Sequence, residues 1–119
     1  MAKVTVYHMM INRATGQQVV SNDCPMFDVV AEVDAPDGYT TNEALEYAWR
    51  WTNNVEGSWS RGADNGQNAD FNPAVAVIEP NYVDAAGKEW GRRSSMVGDV
   101  FGIGTHSYTV APAGFDFKE

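Results

Sequence analysis

"MFDVVAEVDAPDGYTTNEALEYAWRWTNN", residues 26–54, contains a change of hydrophobic period, and that change decides the fold. In its first ten residues Phe27, Val29, Ala31 and Val33 point one way and Asp28, Glu32 and Asp34 the other. Met26 and Val30 are the apolar exceptions on the outer face. A period of two marks a half-buried strand, because successive side chains leave a pleated strand on opposite sides. Pro36-Asp37-Gly38-Tyr39 then turns the chain, with Pro fixing φ and Gly accepting φ > 0.

From Thr40 the period becomes helical. Thr40 and Glu43 have the spacing of a capping box, in which each side chain satisfies the other residue's orphan N–H. Ala44, Leu45, Ala48, Trp49, Trp51, Thr52 and Val55 form one broad face. Glu43, Glu46, Arg50, Asn53 and Asn54 form the other, with Glu46 and Arg50 placed as an i,i+4 pair.

The flanks read mostly as strands. "KVTVYHMMI" (3–11) is a strand with apolar residues on both faces, and Val19-Val20 begins a short second one after a turn at Thr15-Gly16. "AVAVIEP" (74–80) is a short strand ended by Pro80, and "YVDAAGKEW" turns at Ala86-Gly87. "DVFGIGTHSYTVAPAGFDF" closes the chain as a hairpin: Val100, Phe101 and Ile103, a Gly-Thr-His turn, then Tyr108 and Val110, and a last edge around Phe115–Phe117. The prediction is an α+β domain over 1–119, a small, mostly antiparallel sheet packed against one main amphipathic helix, with a C-terminal β-hairpin. Its one irregular segment is the long polar loop 57–73, "GSWSRGADNGQNADFNP". A chain of 119 residues buries roughly two-thirds of its unfolded surface, enough for a core without metals or disulfides.

Composition excludes several classes. Cys24 is the single cysteine, so there is no intrachain disulfide and no thiol cluster for zinc; its flanks, "NDCPMF", make it a small buried apolar side chain. No apolar run approaches the roughly 18 residues of a membrane span, and "MAKVTVYHMMI" is too strand-like for a signal peptide, which points to the cytoplasm. Net charge is −8, and residues 23–56 carry eight acids against one base, Arg50. Lys and Arg supply most affinity for phosphate backbones, so nucleic acid is disfavoured as a partner and a basic protein surface favoured. An edge strand at either terminus leaves a homodimer open.

Motifs for chemistry are absent. His8 lies mid-strand and His106 at a turn, neither with a companion at metal spacing. No G-x-S-x-G or Cys/His signature is present. "DNGQNAD" (64–70) offers oxygen ligands but fails the EF-hand pattern, because glycine comes third and no glutamate closes the loop. The expectation is a protein without cofactor, metal or catalytic residues.

Two surfaces remain. Asp34, Asp37, Glu43, Glu46, Trp51 and Trp59 form a candidate protein-binding surface, since tryptophans outside a helix stripe are interface anchors and charge steers association. In "RRSSMVGDV" (92–100), Arg92, Arg93, Ser94 and Ser95 with the Gly98 backbone form a candidate anion site for a nucleotide or phosphometabolite. The competing reading of that stretch is structural: Gly98-Asp99 turns the chain to aim Val100, Phe101 and Ile103 into the sheet.

Arg93, Ser94, Ser95, Val97, Gly98, Asp99, Val100, Gly114 and Phe115, with the Ala-Leu helix and the Trp-containing loop before them, carry a resemblance. The chain resembles small accessory proteins of actinobacterial phages, plasmids and their hosts, which end in an Arg-Ser-x-Ser-Val-Gly-Asp-Val element, a hairpin and a closing Gly-Phe. Here Met96 stands between the second serine and Val97, where that element has the serine directly before the valine. The resemblance implies a mobile-element protein that modulates or inhibits a host protein such as a defence or replication factor.

Overall fold

In the computed structural model, residues 2–11, 15–21, 24–55, 57–60, 68–78, 81–83, 89–91 and 93–118 are described. The fold is α+β. Six strands form an antiparallel sheet in the order β10-β9-β8-β1-β4-β5: Phe115–Lys118, His106–Val110, Val100–Ile103, Ala2–Met9, Phe27–Ala35 and Val75–Val77. The helix α1 spans Thr41–Trp51 and packs chiefly on β1 and β4. Two small ribbons lie outside the six-stranded ladder, β2 (Val20–Ser21) with β3 (Cys24–Pro25) and β6 (Asn81–Val83) with β7 (Glu89–Gly91). Among the described residues no helix is long and apolar enough to cross a membrane.

The helix begins where the capping box places it. Glu43 N–H donates to Thr40 Oγ1 at 3.2 Å and Thr40 N–H donates to Glu43 Oε1 at 2.9 Å. Ala44, Leu45 and Ala48 bury against Val4, Val6, Val30, Ala31, Val33 and Phe101. Small residues at 44 and 48 let the helix approach the sheet closely. The helix ends earlier than its apolar pattern, at Trp51. Val55, expected on the core face, lies beyond the end and is exposed.

The alternation in β4 changes phase within the strand. Val6 pairs with Ala31 but Tyr7 pairs with Val29, so Val30 is an extra residue, a β-bulge. Ala31 and Val33 are buried as expected, and Ala35 continues the same face. Val29, expected inside, is exposed, whereas Val30, expected outside, is fully buried. Phe27 shares the outer phase of Val29 and, with Tyr7, Val100 and Gly102, lines a depression of about 420 Å³ on the face of the sheet away from α1. The strand pattern was right; its phase was not constant. Cys24 and the Ala86-Gly87 turn lie outside the residues whose side chains or backbone are described.

Candidate functional site

The segment 93–99 folds inward around a carboxylate. Asp99 is fully buried. Its Oδ1 accepts from Met9 N–H and Arg93 Nη2, and its Oδ2 from Met96 N–H and Arg93 Nη1, all at 2.8 Å. A buried carboxylate is tolerated only when paired and hydrogen-bonded, and the bidentate guanidinium supplies both conditions at once. Arg93 is committed further through Ser94 C=O (2.9 Å) and Met9 C=O (3.1 Å). The pair therefore welds the loop to the end of β1. Gly98 completes the turn at φ 97°, a backbone conformation that requires glycine, and a Cβ there would also lie 2.9 Å from the end of the Met9 side chain, which would have to shift.

The serines serve the same architecture. Ser95 N–H donates to Thr52 C=O (2.9 Å), Ser94 Oγ accepts from Asn54 N–H (2.7 Å), and Thr52 Oγ1 bonds both Ala48 C=O and Ser95 Oγ (2.7 Å each). The Thr52 carbonyl at the C-terminal end of α1, which has no intrahelical donor, and the Asn54 N–H just past it thus find partners in the loop. His8, Ser95 and Asp99 stand close together, as a hydrolytic triad would. The roles do not match one: His8 Nε2 faces Ser95 Oγ at 2.9 Å and also Asp99 Oδ2 at 3.8 Å. A triad histidine holds nucleophile and carboxylate on opposite ring nitrogens. The exposures of His8, Ser95 and Asp99 are 3%, 4% and 0%, so substrate has no route to Ser95 in this conformation.

A second buried carboxylate organises the polar loop. Asp70 Oδ2 accepts from Val55 N–H (2.6 Å) and Gly57 N–H (2.8 Å), and Oδ1 from Arg50 Nη2 at 3.2 Å. Asn68 Oδ1 accepts from Ser58 N–H, and its Nδ2 donates to Ser58 C=O. A Cβ at Gly57 would collide with the Asn68 amide, so the close approach requires glycine. Arg50, expected to pair with Glu46, turns instead to Asp70 and lies 4.1 Å over the Trp51 ring. The oxygens of Asn68 and Asp70, ligand types whose spacing already fails the calcium-loop pattern, hold backbone groups. Positions 61–67 lie outside the described residues, and among the described ones no cluster of three ligands is present.

The predicted binding residues separate into groups. Trp59, expected as an exposed anchor, is a correction: it is 2% exposed, its indole N–H donates to Arg93 C=O at 2.8 Å, and its ring meets His8 edge-on at 5.9 Å. A buried tryptophan needs an acceptor for its N–H, and the 93–95 backbone provides it. Asp34 is exposed, but its alternation with buried Val33 and Ala35 puts it on the sheet face away from α1. Arg92 lies outside the described residues. Arg93, Ser94 and Ser95 are taken up in the internal network above, the Arg93 guanidinium on Asp99 and both serine hydroxyls at the C-terminal end of α1.

Glu43 and Glu46 are exposed on the outer side of α1, Trp51 is half-buried beside Tyr47 at its edge, and Asp37 is exposed on the turn that leads into the helix. Tyr39, Glu43, Glu46 and Tyr47 line a depression of about 290 Å³. Tyr47 meets Tyr39 edge-on at 5.9 Å and the Trp51 ring at 6.4 Å, making a ladder of three aromatics beside two carboxylates. Asn72 Nδ2 donates to Tyr47 Oη at 2.8 Å and fixes the middle ring. Tyr39 and Tyr47 were not singled out in the sequence. The available signal was their position, one residue before the helix cap and one turn after Glu43. Compared with protein-family models, curated proteins and solved structures, the chain has no significant match.

Proposed function

We propose that this is a non-enzymatic binding protein that captures a basic segment of another protein on the outer face of α1. The observation that carries the reading is the depression bounded by Glu43, Glu46, Tyr39 and Tyr47. Carboxylates attract Lys and Arg, and aromatic faces hold cations by their quadrupole. The capping box aims Glu43 through one oxygen, so that carboxylate is oriented before any partner arrives. Net charge of −8 adds long-range steering of a basic partner. The resemblance at residues 93–100 and 114–115 supplies the context in which we read it, an accessory protein of a phage or plasmid acting on a host protein. The anion-binding reading of Arg93, Ser94 and Ser95 finds no comparable support, because the Arg93 guanidinium is committed to Asp99 and two backbone carbonyls and the Ser95 hydroxyl to Thr52 and His8.

The test is an NMR titration of the whole chain with acetylated octalysine amide. Amide signals of 39–51 and the Trp51 indole should shift, and the shifts should weaken with added salt. In the double variant Glu43→Gln, Glu46→Gln they should vanish; Gln at 43 keeps a capping-box acceptor, so the helix is retained. Shifts spread evenly over every acidic surface, or unchanged in the variant, would sink the assignment.

A further inference from the structure

Glu46 borders more than one depression. On its other side it forms the acidic lip of a slot of about 270 Å³ between α1 and the β9–β10 connection, walled by Trp49, Val97, Ala111, Pro112 and Phe115. The slot exists because α1 covers β1 and β4 while the sheet continues past it to β9 and β10.

Its walls are held from behind. Phe115 packs on buried Phe101 with ring centroids 5.5 Å apart. Ala111 N–H donates to Gly114 C=O at 2.9 Å, closing the connection. Val97 is 48% exposed, yet its turn is pinned on both sides by Met96 N–H to Asp99 Oδ2 and Gly98 N–H to Val110 C=O. An apolar slot with fixed walls takes an apolar side chain without first having to order itself.

We propose that this slot receives a large aliphatic or aromatic side chain of the same basic segment, so that the partner is recognised as a cationic residue and an apolar one close together in sequence. The inference rests on the reading of α1 given above. Its further argument is charge complementarity combined with continuity: Glu46 borders both depressions, and consecutive residues of an extended peptide advance about 3.3–3.6 Å each, so a cation at Glu43 and Glu46 puts a residue one or two positions away at the slot. The larger depression on the other side of the sheet, lined by Tyr7, Phe27 and the hydroxyls of Thr5 and Ser107, has no carboxylate in its lining to select a basic partner.

Two acetylated, amidated hexapeptides of equal charge separate the two readings. One alternates Lys and Gly; the other has its second Gly replaced by Leu. By NMR titration of the intact chain, the Leu peptide should bind about tenfold more tightly, the gain from burying part of one leucine. It alone should shift the Trp49 indole N–H. Ala111→Leu, which fills the slot, should bring the two peptides within about twofold of each other. Val97→Ser, an exposed wall position that leaves the fold intact, should do the same. Equal binding of the two peptides by the unsubstituted chain, or a leucine gain that survives both variants, overturns the slot while leaving the α1 reading standing. Failure of either peptide to shift α1 overturns that reading, and the slot with it.

Discussion

Two arginine–aspartate pairs hold the loops of this protein, and they are built differently. Asp99 and Asp70 are both fully buried. Asp99 is met by a guanidinium presenting two nitrogens at 2.8 Å, from an arginine only 23% exposed. Asp70 is met by one nitrogen at 3.2 Å, from an arginine 41% exposed whose Nη1 is buried without a partner. Each carboxylate also accepts from two backbone amides, Met9 and Met96 at Asp99 and Val55 and Gly57 at Asp70, so the two sites differ chiefly in how the cation is presented. Residue type alone therefore does not rank an ion pair. The first is an electrostatic weld between β1 and the 93–99 loop; the second is a backbone clasp with an arginine resting on its outside.

Breaking the weld should have the largest effect. Asp99→Asn removes the counter-charge from a bidentate arginine and turns one acceptor into a donor facing Arg93 or an amide. Chemical denaturation should show a loss of about 3–5 kcal/mol, the range for stripping one partner from a buried pair. The same variant should loosen the packing of Trp59, whose indole hangs on the Arg93 carbonyl, and its fluorescence should move to the red.

Asp70→Asn should cost less, about 1–3 kcal/mol, because an amide oxygen in the place of Oδ2 still accepts from both backbone N–H groups, as a weaker neutral acceptor, while the amide nitrogen takes the place of the oxygen that faced Arg50. Hydrogen exchange should localise the damage to the Val55 and Gly57 amides and leave β1 and β8 protected. Equal losses in the two variants would erase the distinction drawn between weld and clasp.

How much of this was legible in sequence follows from chain separation. The capping box at Thr40 and Glu43 and the turn at Pro36–Tyr39 involve neighbours, and both stand as read. The hairpin of β8 and β9 also follows from local pattern. Arg93 and Asp99 are six residues apart, within reach of a loop reading, but the reason for their pairing is that Met9, more than eighty residues away, delivers its amide to the same carboxylate. His8 joins Ser95 across a comparable gap. Trp59 looked exposed because its sequence neighbours are polar; its spatial neighbours are His8 and the Arg93 backbone. The bulge at Val30 gave no sign because valines at 29 and 30 are interchangeable to a periodicity argument, and only the register with β1 decides which is inside. At the candidate site, the carboxylates were readable as charge, whereas the aromatic ladder beside them depends on how the turn folds Tyr39 back onto Tyr47.

The smallest expected effect gives the finest test of the comparison. Arg50→Met keeps an unbranched side chain to lie over Trp51 and good helix propensity, but deletes the charge facing Asp70. A single long contact from a partly solvated arginine is worth about 0–1 kcal/mol, so stability should fall by no more than that, with the amides of Val55 and Gly57 still protected. Arg93→Met should instead approach the loss seen in Asp99→Asn, since it strands the same buried carboxylate. A double-mutant cycle at each pair puts the contrast in one quantity: a coupling of several kcal/mol between positions 93 and 99, and less than about 1 kcal/mol between positions 50 and 70. Measured in high salt, the small coupling should shrink towards zero and the large one persist, because screening reaches the more exposed arginine at position 50 and not the buried fork at Asp99. A large coupling at 50 and 70 would mean that Asp70 depends on its arginine rather than on the backbone, and the clasp would have to be redrawn as a second weld.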